Sequence, residues 1–142
     1  MRSLIDVNVL IALMDADHVS HRTAMDWFSD HAVHCWASCP ITQNGCIRIM
    51  WHAGYPNSQS VAATVQRLRA ATSHPVHQFW SDDASLLDDR CIDASRVHGP
   101  RQLTDVYLLA LAVGHGGRLV TFDRTIAMAA VRGATAQQLV LL

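Results

Sequence analysis

Short apolar runs alternate with helical patterns along the whole chain, and this alternation constrains the fold most strongly. The runs predict five buried strands, at residues 2–6, 33–37, 76–80, 118–122 and 139–142. Strands that are separated by helices favour parallel pairing, because a parallel connection has to cross from one end of the sheet back to the other. We therefore predict an α/β fold with a mostly parallel central sheet that helices cover on both faces.

Amphipathic or apolar helical patterns fill the segments between the strands. The long helices are predicted over Val7–Met14, from an Asp17 N-cap through Phe28, from Pro40 to about Gly54, and over Ser58–Thr72 and Leu103–His115. Two short helices are predicted from Ser81 through Leu87 and over Thr125–Val131, and residues 93–101 are predicted to form a loop. The helix from Leu103 is apolar on nearly every side, with Thr104 as its expected N-cap. We see no linker or repeat, so residues 1–142 are predicted to form one domain.

The charge composition limits the chemistry that is open to this chain. It contains no Lys and no Glu, so its 12 carboxylate side chains are all Asp and its 11 permanently positive side chains are all Arg. The net charge of −1 gives no general basic field that would attract nucleic acid, and phosphate binding must therefore come from local arginines or from a metal. No apolar run approaches the ~20 residues that span a bilayer, and we expect a soluble, cytoplasmic protein without membrane contact.

Three aspartates occupy equivalent junctions between secondary-structure elements. Asp6 and Asp123 each close an apolar strand, and Asp105 lies in the first turn of the apolar helix. In an open α/β sheet these positions converge beyond the carboxyl ends of the strands, where ligands bind. Three carboxylates in one cleft repel each other unless a cation lies between them, and hard oxygen ligands suit Mg²⁺ or Mn²⁺.

Each of these aspartates also has an ordinary structural explanation. Asp6 stands where it would cap the helix over Val7–Met14. Asp105 is favoured in the first turn of a helix by the helix dipole, and Asp123 is a common type of turn residue. The sequence alone leaves both explanations open for each residue, and the shared pattern is what favours a site.

The helix after the second strand carries three further candidates. Asn44 or Gln43 would orient a water molecule or a metal-bound phosphate, and Arg48 would contact a phosphate, if that junction opens onto the same cleft. The alternative is a solvated helix face. A histidine zinc site is disfavoured, because the pairs His18/His21 and His31/His34 do not form a recognised zinc motif.

Taken together, these motifs resemble the PIN-domain ribonucleases, and within them the VapC toxins of bacterial toxin–antitoxin pairs. The resemblance runs over essentially the whole chain. Its carriers are the segments Leu4–Leu10, His21–Ala24, Pro40–Gly45 with Arg48, Thr104–Ala112 and Leu119–Asp123. The motifs are short, and it is their order and spacing that make the resemblance specific.

The resemblance implies a three-layer α/β/α sandwich and an endoribonuclease that depends on Mg²⁺, with Mn²⁺ as a substitute. It also implies neutralisation by a VapB-like antitoxin, and a homodimer. The acidic metal ligands carry over onto Asp6, Asp105 and Asp123, and Arg48 and Arg124 are expected to bind the RNA phosphates that flank the scissile bond. The family usually has another acid after the second strand, often Glu, whereas Thr42–Gly45 contains none. Asn44 is the expected substitute, as a neutral oxygen ligand or through a water molecule.

Two other classes of function compete with this hypothesis. The missing acid motivates a PIN-like module that binds RNA or a partner without cleaving. Alternatively, Asp6 could be the nucleophile of a phosphoacceptor or phosphatase-like protein. Against the latter, the chain has no D-x-D-x-T motif and no lysine to neutralise a phosphoryl group.

Overall fold

A five-stranded parallel sheet forms the centre of the molecule. The structure is a computed structural model, and it describes residues 1–32 and 35–142. The strands are β1 (Ser3–Ile5), β2 (Trp36–Ser38), β3 (His77–Phe79), β4 (Arg118–Thr121) and β5 (Leu139–Leu141), in the spatial order β3-β2-β1-β4-β5. All four pairings are parallel, which confirms the predicted α/β fold. The second strand was predicted over 33–37 but begins at Trp36, and residues 33 and 34 lie outside the described residues.

Side chains alternate between the two faces of the sheet and so divide the core into two parts. Leu4 lies beside Ala37 of β2 and Leu119 of β4, and these residues pack on one face. Ile5 lies beside Val120, and both contribute to the core on the opposite face. A strand that is buried on both faces needs apolar residues at consecutive positions. This explains why Leu4 and Ile5 are adjacent in β1 and why Leu119 and Val120 are adjacent in β4.

Among the described residues, five α-helices cover these two faces. They are α1 (Val7–Met14), α2 (His21–Trp27, extended by a π-helical turn over Phe28–Ala32), α3 (Pro40–Trp51), α4 (Val61–Thr72) and α5 (Leu103–Gly114). Helices α1 to α4 pack on the Ile5 face, whereas α5 packs on the Leu4 face. The result is the three-layer α/β/α sandwich that the resemblance implied.

Two predicted helix caps are wrong. The helix after Asp17 begins only at His21, with Ser20 at its N-cap position, and Asp17 instead lies in a turn in which the His18 backbone N–H donates to the Asp15 carbonyl at 3.0 Å. Thr104 lies inside α5, since a 3₁₀ turn over Pro100–Gln102 leads directly into that helix and moves its start upstream. Asp105 is still in the first turn of α5, as predicted.

The two predicted short helices are also wrong. Residues 81–87 form extended backbone and turns, and Leu87 is 92% exposed, so this segment has no buried apolar stripe to stabilise a helix. Within Thr125–Val131, helical structure is limited to a 3₁₀ turn over Met128–Ala130. The predicted loop at 93–101 contains two 3₁₀ turns, Ala94–Arg96 and Pro100–Gln102. Among the described residues, no helix is long and apolar enough to cross a membrane.

Candidate active site

A cleft of about 730 Å³ lies beyond the carboxyl ends of the parallel strands. Polar side chains from separate elements face it, namely Asp6, Asn8, His18, Asn44, Arg48, Tyr55, Asp82, Thr104 and Asp105. Parallel strands place all their carboxyl ends at one edge, so residues distant in sequence meet there. The cleft therefore brings together four of the predicted site residues: Asp6, Asn44, Arg48 and Asp105.

Asp6 caps helix α1 and also lines this cleft. Its Oδ1 accepts a 2.6 Å hydrogen bond from the backbone N–H of Val7 at the start of α1. Its backbone N–H donates to the Val120 carbonyl of β4 at 3.0 Å, which fixes the residue to the centre of the sheet. The side chain is nearly buried, and this burial raises the pKa of its carboxyl despite the hydrogen bonds that it accepts. Asp6 therefore caps α1, as one of the two explanations predicted, and it also lines the cleft.

The Thr121 hydroxyl forms hydrogen bonds with three residues at the floor of the cleft. It donates to Oδ2 of Asp6 at 2.6 Å, and it accepts hydrogen bonds from Nδ2 of Asn8 at 3.1 Å and from the backbone N–H of Asp123 at 3.0 Å. One donor and two acceptor positions are all that a hydroxyl offers, so its capacity is fully used. This network holds the end of β4 against the start of α1.

Asp105 experiences the charge of the other two aspartates. Burial raises the pKa of its carboxyl to about 6, with further contributions from the negative charges of Asp6 and Asp123. The Asp123 carboxylate accepts hydrogen bonds from the Thr125 hydroxyl and backbone N–H, both at 2.7 Å, and these lower its pKa. The three predicted acids are therefore close enough to interact, although Asp123 lies outside the residues that line the cleft.

This donor set fits a hard divalent cation. Asp6 and Asp105 offer carboxylate oxygens, Asn44 offers an amide oxygen, and the mutual repulsion at Asp105 is of the kind that a cation relieves. Within residues 1–32 and 35–142, no group of three or more His, Cys or Asp side chains is arranged to hold a metal ion. Two direct carboxylate ligands are compatible with Mg²⁺, which keeps several water molecules in its sites.

Of the other four predicted residues, two line the cleft and two do not. Asn44 and Arg48 are exposed on α3 and line the cleft. Gln43 does not line it, because Gln43 Nε2 donates to Ser38 Oγ at 2.9 Å. Arg124 is exposed beyond the end of β4 and is also absent from the cleft wall.

Asp82 lines the cleft but was not among the predicted site residues. The sequence placed it in the cap of a short helix, and that helix is absent from the described structure. A usable signal was present, because Asp82 lies three residues after the carboxyl end of β3, and Asp6 and Asp123 lie one and two residues after the ends of β1 and β4.

Comparison with known proteins now decides the family. The model of the PIN domain family matches residues 3–132. The chain belongs to the PIN domain family. Within that family it is similar to Ribonuclease VapC44 of Mycobacterium tuberculosis (strain ATCC 25618 / H37Rv), with 53% identity over 142 residues and complete coverage of both chains. Ribonuclease VapC39 of the same strain is 42% identical over 134 residues, covering 94% of this chain and 96% of the relative. These matches identify a VapC-type PIN protein.

Solved structures support the PIN fold. The crystal structure of M. tuberculosis VapC20, described as a sarcin–ricin-loop cleaving toxin, aligns with a TM-score of 0.62 at 13% identity, covering 93% of this chain and 98% of VapC20. VapBC2 from Rickettsia felis, bound to a promoter DNA fragment, aligns with a TM-score of 0.53 at 11% identity, covering 100% and 98% of the two chains. At these identities the likeness concerns the fold.

Proposed function

We propose that this protein is the toxin of a type II toxin–antitoxin pair and acts as a divalent-metal-dependent endoribonuclease. The observation that carries the proposal is the position of Asp6 and Asp105 in one cleft beyond the ends of the central strands. Membership of the PIN family and the name Ribonuclease on its full-length relatives support RNA as the substrate.

In this proposal Asp6 and Asp105 bind Mg²⁺, with Mn²⁺ as a substitute. When bound, the cation supplies Lewis-acid activation of the phosphodiester and offsets charge in the transition state. The Val7 N–H and the Thr121 hydroxyl each hold one oxygen of Asp6, so the carboxylate is oriented before substrate arrives. Asp123, which accepts hydrogen bonds from Thr125, would hold a second ion or position the attacking water.

Two residues of α3 are assigned to the substrate. Asn44 offers a neutral amide to a phosphate oxygen or to a water molecule, and Arg48 binds a phosphate beside the scissile bond. Both are exposed on the cleft side of the helix, four residues apart, and therefore lie on one face. An RNA strand would lie along this face of α3.

The proposed partner is a VapB-like antitoxin that abolishes cleavage. Support comes from the solved structure of VapBC2 bound to a DNA fragment from its promoter, and from the VapC names of the relatives. Addition of the purified cognate antitoxin should stop the cleavage at a defined stoichiometry. Continued cleavage in a saturated complex would contradict the assignment as a toxin.

The deciding experiment is cleavage of total cellular RNA by the purified, antitoxin-free protein with Mg²⁺, with Mn²⁺ and with EDTA. Asp6→Asn and Asp105→Asn are compared with Asp26→Asn, whose aspartate is exposed on α2 and pairs with Arg22. We expect discrete products that disappear with EDTA and fall at least about 100-fold in both cleft variants. Asparagine still caps α1, so loss of activity in Asp6→Asn would report the missing charge.

A second outcome would favour a different function. The described part of α3 presents no carboxylate to the cleft, which is the observation behind a module that binds RNA without cleaving it. Folded protein that retains RNA binding but gives no product with either metal would support that alternative. Retained cleavage in Asp6→Asn or Asp105→Asn would remove that residue from the mechanism.

A further inference from the structure

One end of the cleft is lined mainly by apolar and aromatic side chains. Ile11, Ile49 and Tyr55 line it, and we call these three residues the apolar end of the cleft. Ile11 lies five residues after Asp6 and Ile49 five residues after Asn44, which corresponds to about 7 Å along the axis of each helix. The apolar end is therefore close to the acidic residues but separate from them.

The ring of Tyr55 is held in a defined position at this end. Its hydroxyl donates to Oδ2 of Asp15, and Nδ2 of Asn57 donates to the other oxygen of that carboxylate at 2.9 Å. Asp15 is 4% exposed, so the Tyr55 ring is attached to a buried group. Tyr55 also borders a second cavity of about 480 Å³, which shares Arg48 and Ile49 with the cleft. The apolar end therefore continues past the ring into further open space.

His18 presents a hydrogen-bond donor to the same cleft. Its ring Nδ1 accepts the backbone N–H of Ser20 at 3.1 Å, so the proton of the neutral ring is on Nε2. Its backbone is fixed as well, because its N–H donates to the Asp15 carbonyl at 3.0 Å and its carbonyl accepts from the His21 N–H at 2.9 Å. Across the described residues, Nε2 of His18 forms no hydrogen bond with the protein. The imidazole thus has one donor that is available to a ligand.

The charges around His18 favour a neutral ligand over an anion. The Tyr55 and Asn57 hydrogen bonds lower the pKa of Asp15, which is therefore ionised at neutral pH. The charges of Asp15 and of protonated His18 interact, so the two side chains are near each other. A phosphate group beside His18 would be repelled by the Asp15 carboxylate. A nucleobase is uncharged, has flat apolar faces and carries hydrogen-bond acceptors on its edge, and it therefore matches this surface.

We propose that Ile49, Tyr55 and His18 form a nucleobase-binding subsite for the RNA substrate, in which Nε2 of His18 donates a hydrogen bond to the base. The inference rests on the proposed function, because it concerns the same cleft and the same substrate. Arg48 borders the subsite and would bind the phosphate of the same nucleotide. Contacts with the base give the protein a preference among RNA sequences, which contacts with phosphates alone do not give.

The test is RNA affinity, measured by fluorescence anisotropy in an Asp105→Asn background, which the proposed mechanism makes inactive. Two labelled probes are compared, a short single-stranded RNA of mixed base sequence and an oligonucleotide of the same length whose riboses carry no bases. The main variant is His18→Asn, because asparagine readily accepts the backbone N–H two residues ahead and so keeps the turn while Nε2 is removed. We expect it to weaken binding of the RNA about 10-fold and binding of the abasic probe less than about twofold.

Two further variants of the same groups serve as comparisons. Glutamine at position 18 can place an amide donor near the position of Nε2, so His18→Gln should bind the RNA more tightly than His18→Asn does. Arg48→Ala should weaken the binding of both probes equally, because the two probes have the same phosphates. Thermal melting of each variant confirms that it is folded.

Ile49→Ala tests the apolar end without changing the turn at His18. Ile49 is 38% exposed on α3, and its matched control is Met25→Ala, since Met25 is 39% exposed on α2 and does not line the cleft. We expect Ile49→Ala to weaken binding of the RNA about fivefold through lost apolar contact, and Met25→Ala to leave it unchanged.

The outcomes separate this inference from the proposed function. Equal weakening of both probes by His18→Asn would overturn the subsite, because His18 would then act on the phosphates or on the fold. Unchanged RNA affinity in His18→Asn would also overturn it, while RNA would remain the ligand of the cleft. Absence of RNA binding by the Asp105→Asn parent would instead contradict the proposed function itself.

Discussion

The Thr121 hydroxyl donates a 2.6 Å hydrogen bond to Oδ2 of Asp6, and this bond joins the fourth strand of the sheet to the first helix. The two residues are 115 positions apart in the chain. Asp6 is nearly buried, so its second oxygen would otherwise face a poorly solvated environment. Thr121 thus compensates part of the cost of keeping a carboxylate at the floor of the cleft.

Thr121→Val should therefore destabilise the protein and weaken its activity. The substitution keeps the side-chain shape but removes the donor to Asp6 and the acceptor for Asn8 and for the Asp123 backbone. We expect the free energy of unfolding to fall by about 2 kcal/mol in urea titrations. Thr121→Ser, which retains the hydroxyl, is the matched control, and equal loss in both variants would show that methyl packing matters more than the network.

Asp15 should make stability depend on pH at the acidic end. Its buried carboxylate accepts hydrogen bonds from the Tyr55 hydroxyl and from Asn57, and these lower its pKa below the ordinary 3.8. A lowered folded-state pKa stabilises the fold above the unfolded value, and this contribution is lost as pH falls through the folded value. Tyr55→Phe should cost about 1 kcal/mol at pH 7. The difference from the unsubstituted protein should shrink as pH falls below 3.8 and through the lowered pKa of Asp15, and a constant difference at all pH values would contradict this account.

Gly45 should not tolerate even a methyl group. A Cβ on Gly45 would lie 2.7 Å from Cγ2 of Val7, a stiff branched side chain at the start of α1. We expect Gly45→Ala to separate α1 from α3 and to lower the free energy of unfolding by about 1–3 kcal/mol. Gly114→Ala is the control, because a Cβ there meets nothing within 4 Å. The double variant Val7→Ala/Gly45→Ala should recover stability, and failure to do so would place the strain elsewhere.

The two arginines that were predicted to bind phosphate should behave differently. Arg48 lines the cleft, whereas Arg124 is exposed outside it. In RNA-binding titrations in the Asp105→Asn background, which the proposed mechanism makes inactive, Arg48→Ala should reduce the slope of log affinity against log salt by about 0.7, as expected for one lost phosphate contact on single-stranded RNA. Arg124→Ala should leave that slope unchanged. The reverse order would place the RNA on the β4 side of the cleft.

The sheet could be predicted well because strands buried on both faces of a parallel sheet consist of unbroken runs of apolar residues. Few other structures require such short, unbroken runs. Leu4, Ile5, Leu119 and Val120 are all fully buried, which is what such runs require. The same logic located Asp6, because a charged residue that ends a buried run stands out. The existence of the five long helices was predicted better than their ends, since neither Asp17 nor Thr104 is the cap of its helix.

Asp82 lines the cleft and Arg124 does not, and neither position could be predicted from the sequence. Both follow a strand end, but the direction of a side chain in an irregular loop depends on contacts that no local pattern contains. The stacking of Trp80 on His115 sets the path of the segment before Asp82. His115 is 35 positions away from Trp80 in the chain, and the sequence around neither residue indicates that the two rings stack.

The strand order has a consequence for how this protein is made. β1 comes first in the chain but lies in the middle of the sheet, and one of its two neighbours is β4, at residues 118–121. Asp6 therefore gains its backbone partner Val120 and its hydroxyl partner Thr121 only after residues 120 and 121 have been synthesised. A polypeptide still emerging from the ribosome therefore lacks the contacts that hold Asp6 at the floor of the cleft until β4 has been made.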